Sequence, residues 1–250
     1  RIAETAFTDA LRRLTAKREF RDTVRRPAQQ RTADRQPARR APSLDQAPPL
    51  SDTPVREQAQ ALRRSVVVVR TGMGHGSGFY ITPRLVLTNA HVVRGEPTVT
   101  LESLGGGTRR ARVLRKHVAR DVALLRANGR GGRPLPIRTD PIGPASTVFA
   151  IGAPLDRDLA ASITQGTVSA TNRRNRNGLP MLQADVDINP GNSGGPLLDA
   201  TGNVVGISTR GYGQEGSIGV NFFVPIPDAL AKLGLRPEES GERRGQPVTR

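Results

Sequence analysis

Short apolar runs separated by turn residues recur from Ser65 to Val224, and they constrain the fold more than any other feature of the sequence. Gly, Pro and Asn fill the intervals, and a proline-rich stretch at 134–144 divides the runs into two sets. The predicted strands are 65–70, 77–82, 85–88, 98–103, 108–115, 122–126, 147–152, 162–169, 181–184, 196–198, 204–209 and 219–224. Many short strands punctuated in this way predict an all-β barrel or sandwich.

The composition excludes several kinds of site. The 250 residues include no cysteine, which rules out disulfides, cysteine nucleophiles and thiolate metal sites but leaves the compartment open. No apolar run reaches the about 18 residues that a membrane-spanning helix needs. The net charge of +16 comes almost wholly from arginine and favours loose binding to anionic polymers or membrane surfaces. The chain begins at Arg1 rather than at methionine, so a removed signal or anchor stays open.

Residues 1–26 predict a basic amphipathic helix. Apolar side chains recur at helical spacing at Ile2, Ala6, Phe7, Ala10, Leu11 and Leu14. We expect a docking or oligomerisation helix, and the alternative is an arm that binds a membrane surface or nucleic acid. The other predicted segments are a Pro/Arg-rich linker at 27–54, a folded domain at 55–235 with barrels at about 65–140 and 141–226, and a polar tail at 236–250.

Three separated motifs supply the groups that an activated serine requires. Ser193 lies in Gly-Asn-Ser-Gly-Gly-Pro-Leu, His91 in Thr-Asn-Ala-His-Val-Val, and Asp121 directly precedes an apolar run. A hydroxyl is a poor nucleophile unless a base takes its proton, and histidine does so best when a carboxylate fixes its tautomer. The glycines beside Ser193 let the backbone turn, so that the Gly191 and Ser193 amides converge on a developing oxyanion. The motifs therefore predict a His91–Asp121–Ser193 triad.

Other residues are weaker candidates for these roles. His75 lies in a glycine-rich turn, His117 lies among basic residues, and neither has the strand-end context of His91. Asp121 has an alternative role as a turn carboxylate beside the basic residues of 109–120, but the apolar run after it favours the triad.

These motifs resemble those of HtrA (Deg)-type serine proteases, within the trypsin-like group, from about Val55 to Leu235. Gly-Ser-Gly-Phe at 76–79, Ile-Asn-Pro at 188–190 and Val-Val-Gly-Ile-Ser at 204–208 extend the resemblance. It implies two six-stranded antiparallel β-barrels of the chymotrypsin type, with short flanking helices. Many HtrA proteases carry a PDZ domain after this region, and the 15 residues after Leu235 leave no room for one.

The resemblance also implies a serine endopeptidase that needs neither metal nor cofactor. His91 would be the general base, Asp121 its orienting carboxylate and Ser193 the nucleophile, in a cleft between the barrels. The Gly191 and Ser193 amides would form the oxyanion hole.

Asp187 departs from the HtrA pattern, which usually has a small apolar residue there and cleavage after small aliphatic residues. Asp187 lies six residues before Ser193, the spacing of the aspartate in the primary pocket of trypsin. An unpaired carboxylate there would favour Arg or Lys before the scissile bond, and Gly219 would leave room for a long side chain. Alternatively, Arg210 neutralises Asp187, or the loop turns Asp187 outward toward the arginines of 173–176, and aliphatic specificity remains.

The end of the 204–209 strand is expected to pair with an extended substrate. The predicted substrate-binding residues are Asp187, Ile188, Ser208, Thr209, Arg210 and Gly219. By resemblance to trypsins, Ser208 is expected to hydrogen-bond to Asp121.

Two further features bear on regulation. Zymogen-type trypsins have an aspartate before the nucleophile that pairs with a new amino terminus, and Asn192 cannot form that ion pair. Activation by cleaving the N-terminal extension is therefore not expected by that route. Residues 171–179 match the sensor-loop region of HtrA relatives, and a solvated basic hairpin tip is the alternative.

The competing interpretation is a latent or degenerate protease-fold binding protein, recruited through its basic N-terminal arm. The expected partners are protein or peptide substrates and an anionic partner or protein scaffold contacted through residues 1–40, with no obligatory nucleic acid. HtrA relatives are often trimers built through amino-terminal aromatics, so a homo-oligomer stays open. The resemblance favours a bacterial source, and a cytoplasmic and a cell-envelope or secreted location both stay open.

Overall fold

The computed structural model describes residues 44, 47–153, 162–175, 177–189, 191–209 and 220–235. These residues belong to the second of two compact units, Pro42–Arg250, and the first, Arg1–Ala41, lies outside them. The predictions for the N-terminal helix, most of the linker, Arg210, Gly219 and the polar tail therefore fall outside the described residues.

Short strands dominate the described residues, with three short helices at their margins. In chain order the elements are α1 (Val55–Arg63), β1 (Val66–Thr71), β2 (Gly74–Tyr80), β3 (Leu85–Thr88), α2 (Ala90–Val93), β4 (Thr98–Ser103), β5 (Thr108–His117), β6 (Val122–Ala127), β7 (Thr147–Ile151), β8 (Ile163–Arg174), β9 (Pro180–Ala184), β10 (Pro196–Asp199), β11 (Val204–Ser208), β12 (Asn221–Pro225) and α3 (Ile226–Lys232). No helix within these ranges is long and apolar enough to cross a membrane.

The strands close into two antiparallel barrels, in the orders β1-β2-β3-β6-β5-β4 and β10-β11-β12-β9-β8-β7. This confirms the predicted fold of two six-stranded antiparallel barrels. The proline-rich stretch that divides the two sets of apolar runs lies between β6 and β7. The division of the sequence pattern is therefore the division between barrels.

Strand β1 shows why its run of valines is continuous rather than alternating. Successive side chains point to opposite faces of a strand. Val67 and Val69 face the interior of the first barrel, whereas Val66 and Val68 belong to a second apolar cluster. Both faces are buried, so both carry apolar side chains.

That second cluster is the surface on which the two barrels pack. It joins Phe79 and Leu124 of the first barrel to Leu198, Ile207 and Val224 of the second. Helices α1 and α3 close its margins, with Leu62 and Ile226 as examples of their buried residues. Burial of this apolar surface is the main force that fixes one barrel against the other.

The folded region begins before the predicted boundary at Val55. Leu44 is buried in the inter-barrel cluster. The Ser51 amide donates to Asn203 Oδ1 at 2.7 Å, and Asn203 Nδ2 donates back to the Ser51 carbonyl at 3.0 Å. The C-terminal part of the predicted linker is thus attached to the β10–β11 hairpin.

The described residues of 171–179 belong to the β8–β9 hairpin, because β8 runs on to Arg174 and β9 begins at Pro180. Asn175 Oδ1 accepts hydrogen bonds from the amides of Asn177 and Leu179, each at 2.9 Å. The Arg174 guanidinium donates to the Gly178 carbonyl at 2.6 Å.

Arg120, directly before Asp121, is a charged side chain with no exposed surface. Its guanidinium forms an ion pair with Asp228 of α3. It also donates to the Pro180 carbonyl at 2.5 Å and to Met181 Sδ at 3.4 Å, both in β9. Arg120 therefore ties the turn that carries Asp121 to the second barrel and to α3.

We expect Asp228→Asn to lower the free energy of unfolding by about 2–3 kcal/mol, because it removes the anionic partner of a buried cation. Asp140→Asn is the control, since Asp140 is exposed, and it should change stability by less than about 0.5 kcal/mol. The chain has no tryptophan, so urea unfolding is best followed by far-ultraviolet circular dichroism. Equal stability of the two variants would show that the ion pair does not stabilise the fold.

Candidate active site

His91 and Asp121 meet at the end of the first barrel. Strand β3 leads into the one-turn helix α2, which carries His91, and Asp121 lies just before β6, the neighbour of β3. His91 Nδ1 lies 2.8 Å from Asp121 Oδ2, and the His91 amide donates to Asp121 Oδ1 at 2.9 Å. The carboxylate thus holds both the ring and the backbone of His91. The side chains of His91 and Asp121 are 35% and 15% exposed, so the ring remains accessible beside a mostly buried acid.

The backbone of Asp121 has a left-handed conformation, with φ of 61°. Aspartate tolerates this region better than most residues with a side chain. The carbonyl of Asp121 accepts a hydrogen bond from Asn89 Nδ2 at 2.9 Å, which ties the turn to the entrance of α2. The two turns that carry His91 and Asp121 are therefore linked by main-chain and side-chain contacts.

Thr209 adds a contact from the second barrel. Its hydroxyl donates to Asp121 Oδ2 at 2.7 Å, immediately after the end of β11. The expectation that Ser208 makes this bond is wrong, because the buried Ser208 hydroxyl has no hydrogen-bond partner among the described residues. Neighbouring strand residues point to opposite faces, so an error of one position exchanges their roles.

Ser193 lies in a turn whose shape depends on glycine. Gly191 has φ of 98° and Gly194 has φ of 90°, both in the region that favours glycine. A Cβ on Gly194 would lie 2.2 Å from the carbonyl oxygen of Ser77. The turn therefore cannot accept a larger residue at position 194 without moving one barrel from the other.

The backbone before Ser193 turns so that two amides are left without a partner in the fold. The Asn192 amide donates to the Asn189 carbonyl at 3.0 Å, and Gly191 has a positive φ of 98°. Neither the Gly191 nor the Ser193 amide donates to another of the described residues. The two N–H groups on either side of Asn192 are thus available to an external acceptor.

Ser77 of β2 fastens this turn to the first barrel. Its buried hydroxyl donates to the Gly191 carbonyl at 2.7 Å and accepts from the Ala153 amide at 2.8 Å. The Ser77 amide donates to the Ser193 carbonyl at 2.8 Å. Sequence reasoning noted Ser77 only within a family motif. The signal for its role is a small polar residue between two glycines, directly before the aromatic residues that end β2.

Gly76 allows this approach. A Cβ there would lie 2.6 Å from Val92 Cγ2 and 2.9 Å from the Ser193 carbonyl oxygen. The Gly-Ser-Gly sequence of β2 therefore lets this strand of the first barrel pack closely against both helix α2, which carries His91, and the Ser193 turn.

The predicted substrate-binding residues are only partly described. Asp187 is exposed, and its carbonyl accepts a hydrogen bond from the Thr164 hydroxyl at 2.9 Å. Arg173 donates to Gln183, and Arg174 donates within the hairpin, and neither forms an ion pair with Asp187 among the described residues. Ile188 is half-buried against the core of the second barrel. Arg210 and Gly219 lie outside the described residues.

The other two histidines form no hydrogen bond with His91 or Asp121 among the described residues. His117 Nδ1 accepts a hydrogen bond from the Arg120 amide at 3.1 Å, which is a local turn contact. Burial and the nearby Arg70 lower the pKa of His75 in β2. In the described part of the chain, no three His, Asp or Glu side chains are grouped as metal ligands would be.

Comparison with known proteins agrees with this architecture. Residues 76–207 match the family described as "Trypsin-like peptidase domain". A "Probable periplasmic serine endoprotease DegP-like" from Pseudomonas fluorescens is 37% identical over 169 residues, which cover 64% of this chain and 34% of that protein. "Serine protease Do-like HtrB" from Bacillus subtilis is 32% identical over 152 residues, covering 57% of this chain and 33% of that protein. The chain thus spans about a third of the length of these relatives.

The chain is also similar to solved structures of serine proteases. The serine endoprotease from Yersinia pestis has a TM-score of 0.61 and 29% identity, covering 72% of this chain and 66% of that one. The HtrA-type protease AlgW with a tripeptide has a TM-score of 0.62 and 30% identity, covering 70% and 61%.

We expect Ser77→Ala to lower the free energy of unfolding by about 1–3 kcal/mol, because it leaves the Gly191 carbonyl and the Ala153 amide without their buried partner. Ser208→Ala is a matched control: Ser208 is equally buried, but its hydroxyl has no partner in the described structure. That variant should stay within about 0.5 kcal/mol of wild type. Urea unfolding measures both, and equal losses would contradict the role of the Ser77 hydroxyl.

Proposed function

Because this chain belongs to the trypsin-like peptidase family, we propose that it is a serine endopeptidase that hydrolyses peptide bonds of protein substrates. The observation that carries the proposal is the contact of His91 Nδ1 with Asp121 Oδ2 at 2.8 Å, at the end of the barrel that is fastened to the Ser193 turn. The similarity to HtrA-type proteases supports the same class of reaction.

In the proposed mechanism, Ser193 Oγ attacks the peptide carbonyl while His91 Nε2 takes the hydroxyl proton. His91 then gives that proton to the leaving amine, which leaves an acyl ester on Ser193. Water attacks the ester with His91 again as base, and proton return to Ser193 releases the acid. The amides of Gly191 and Ser193 stabilise the oxyanion at each tetrahedral stage.

The contacts of Asp121 support this division of roles. An ionised carboxylate can only accept hydrogen bonds, so the proton of a neutral His91 belongs on Nδ1, which leaves Nε2 as the base. The Thr209 hydroxyl and the His91 amide also donate to this carboxylate. These bonds keep Asp121 oriented toward the imidazolium that forms during attack. His91, Asp121 and Ser193, the residues of the proposed triad, are all present in the sequence. The similarity to serine proteases does not favour the competing binding-protein interpretation.

Asp187 is our proposed determinant of specificity for Arg or Lys before the scissile bond. It is an exposed carboxylate with no ion-pair partner among the described residues, and Arg173 and Arg174 are engaged elsewhere. Such a carboxylate would form a charge-assisted hydrogen bond with a basic substrate side chain. Ile188, Ser208, Thr209, Arg210 and Gly219 complete the proposed substrate-binding set.

The names of the relatives extend the proposal to location. Several are named as periplasmic endoproteases, which supports a bacterial cell-envelope site of action for this chain. An anionic partner or scaffold bound through residues 1–40, and a homo-oligomer, are further proposals that rest on the sequence alone.

We expect Ser193→Ala and His91→Ala each to lower turnover of an unfolded protein substrate by about 10⁶-fold, as for other triads. Mass spectrometry of the digests would locate each cut. Cuts that persist in Ser193→Ala would come from another protease in the preparation, and a wild type without serine-dependent cuts would contradict the proposed function.

We expect wild type to cut after Arg or Lys. We also expect it to cleave its own chain within 25–40, because that segment offers several arginines, among them Arg25, Arg31, Arg35, Arg39 and Arg40. Asp187→Asn should lower kcat/KM for arginine substrates by more than about tenfold, since it removes the charge that pairs with arginine.

Asp185→Asn is the matched control. Asp185 accepts a hydrogen bond from the Thr167 amide, and asparagine keeps an oxygen that can accept the same bond. Serine-dependent cuts after Val, Ala or Thr that are unchanged in Asp187→Asn would remove the specificity proposal and leave the protease.

A further inference from the structure

We propose that the cavity beside His91 is a subsite for an acidic side chain, at the substrate position immediately before the residue whose carbonyl is attacked. The inference rests on the proposed function and adds a second determinant of specificity to it. The cavity has a volume of about 620 Å³ and opens onto His91, Asp121 and Thr209. Arg94 and Lys116 form part of its wall.

The two cations of this wall form no ion pair within the described residues. Arg94 and Lys116 are both exposed. The nearby acids are engaged elsewhere. Glu96 accepts a hydrogen bond from the Gly72 amide at 2.8 Å, and Asp121 is held by His91 and Thr209. The cavity therefore combines two free cations with a wall that also touches the proposed base.

The backbone holds both cations at the same opening. Arg94 ends α2 in a left-handed conformation, with φ of 45°, and its amide donates to the Ala90 carbonyl at 3.3 Å. Lys116 lies in β5, paired with Ala123 of β6. A Cβ on Gly95 would lie 4.0 Å from Lys116 Nζ, so the ammonium group reaches the loop that carries Arg94.

Strand geometry indicates which substrate residue reaches the cavity. The proposed substrate strand pairs along the end of β11, where Thr209 also lines the cavity. Successive side chains of an extended peptide point to opposite sides. If the residue before the scissile bond points toward Asp187 in the second barrel, the preceding residue points toward the first barrel. The cavity beside His91 lies on that side.

A carboxylate is the group that this wall fits best, because it can accept hydrogen bonds from a guanidinium and an ammonium at once. Each pair is partly exposed to solvent, so the preference for Asp over Asn should be about 3- to 10-fold in kcat/KM. The chain itself contains one such site in its linker, Asp34-Arg35. The other linker arginines follow Val, Gln, Ala or Arg, so Arg35 should be the preferred point of self-trimming.

The test uses the full chain and peptides with the sequence of residues 32–38, which contain a single arginine. One peptide keeps Asp34 and its partner carries Asn there. A second pair carries Val in place of Arg35, so that the comparison is made with whichever residue the enzyme accepts before the cut. The measured quantity is the ratio of kcat/KM between the Asp and Asn peptides of a pair.

We expect a ratio of about 3–10 in wild type, falling to about 1 in the double variant Arg94→Gln/Lys116→Gln. Arg110→Gln/Arg112→Gln removes the same charge from exposed positions of β5 that do not line the cavity, and it should keep the wild-type ratio. Salt raised from about 0.05 to about 0.5 M should also reduce the ratio, as expected for screened charges.

A wild-type ratio of about 1, or an equal ratio in both double variants, would overturn the subsite while leaving the protease in place. If wild type digests unfolded protein but cleaves no peptide of either pair, the subsite is overturned and the protease remains. If it also digests no unfolded protein, the proposed function itself fails.

Discussion

The hydrogen bonds of Ser77 to the Ser193 turn are the contact on which the candidate site depends. They join β2 of one barrel to the Ser193 turn of the other, through the Ser77 amide and the buried Ser77 hydroxyl. His91 and Asp121 come from the first barrel and Ser193 from the second, so the proposed triad needs both barrels. The close approach requires glycine at 76 and 194, where a Cβ would meet the opposite barrel. The glycines of both motifs are therefore explained by the same contact.

Two further links hold the acid in place. Thr209 donates to Asp121 from the second barrel. Arg120, the residue before Asp121, contacts β9 through the Pro180 carbonyl and α3 through Asp228. A buried ion pair is weak evidence for stability in itself, but the removal of one partner is costly. The Asp121 turn thus depends on α3, a helix far away in sequence. A disturbance of α3 would reach the site through Arg120 rather than through the substrate cleft.

Much of this arrangement could be predicted from the sequence, because the signals are local. Short apolar runs gave the strands, and the spacing of the motifs gave a His91–Asp121 pair that the structure brings together. The errors arise where an assignment depends on partners distant in sequence. The sequence pattern predicts that Ser208 hydrogen-bonds to Asp121, whereas Thr209 makes this bond. The pattern does not determine which side chain at the end of a strand faces the site. The burial of Arg120 could not be predicted, because its ion-pair partner Asp228 lies more than a hundred residues later in the sequence.

The most direct test of the central claim is whether folded protein activates Ser193 as a nucleophile. An organophosphonate fluoride forms a covalent bond with an activated serine hydroxyl and releases fluoride, and peptide mass spectrometry locates the adduct. We expect one adduct, on Ser193, formed by folded wild type and lost in His91→Ala and in urea-unfolded protein. An adduct on another residue, an equal adduct in His91→Ala, or none on folded wild type would contradict the account.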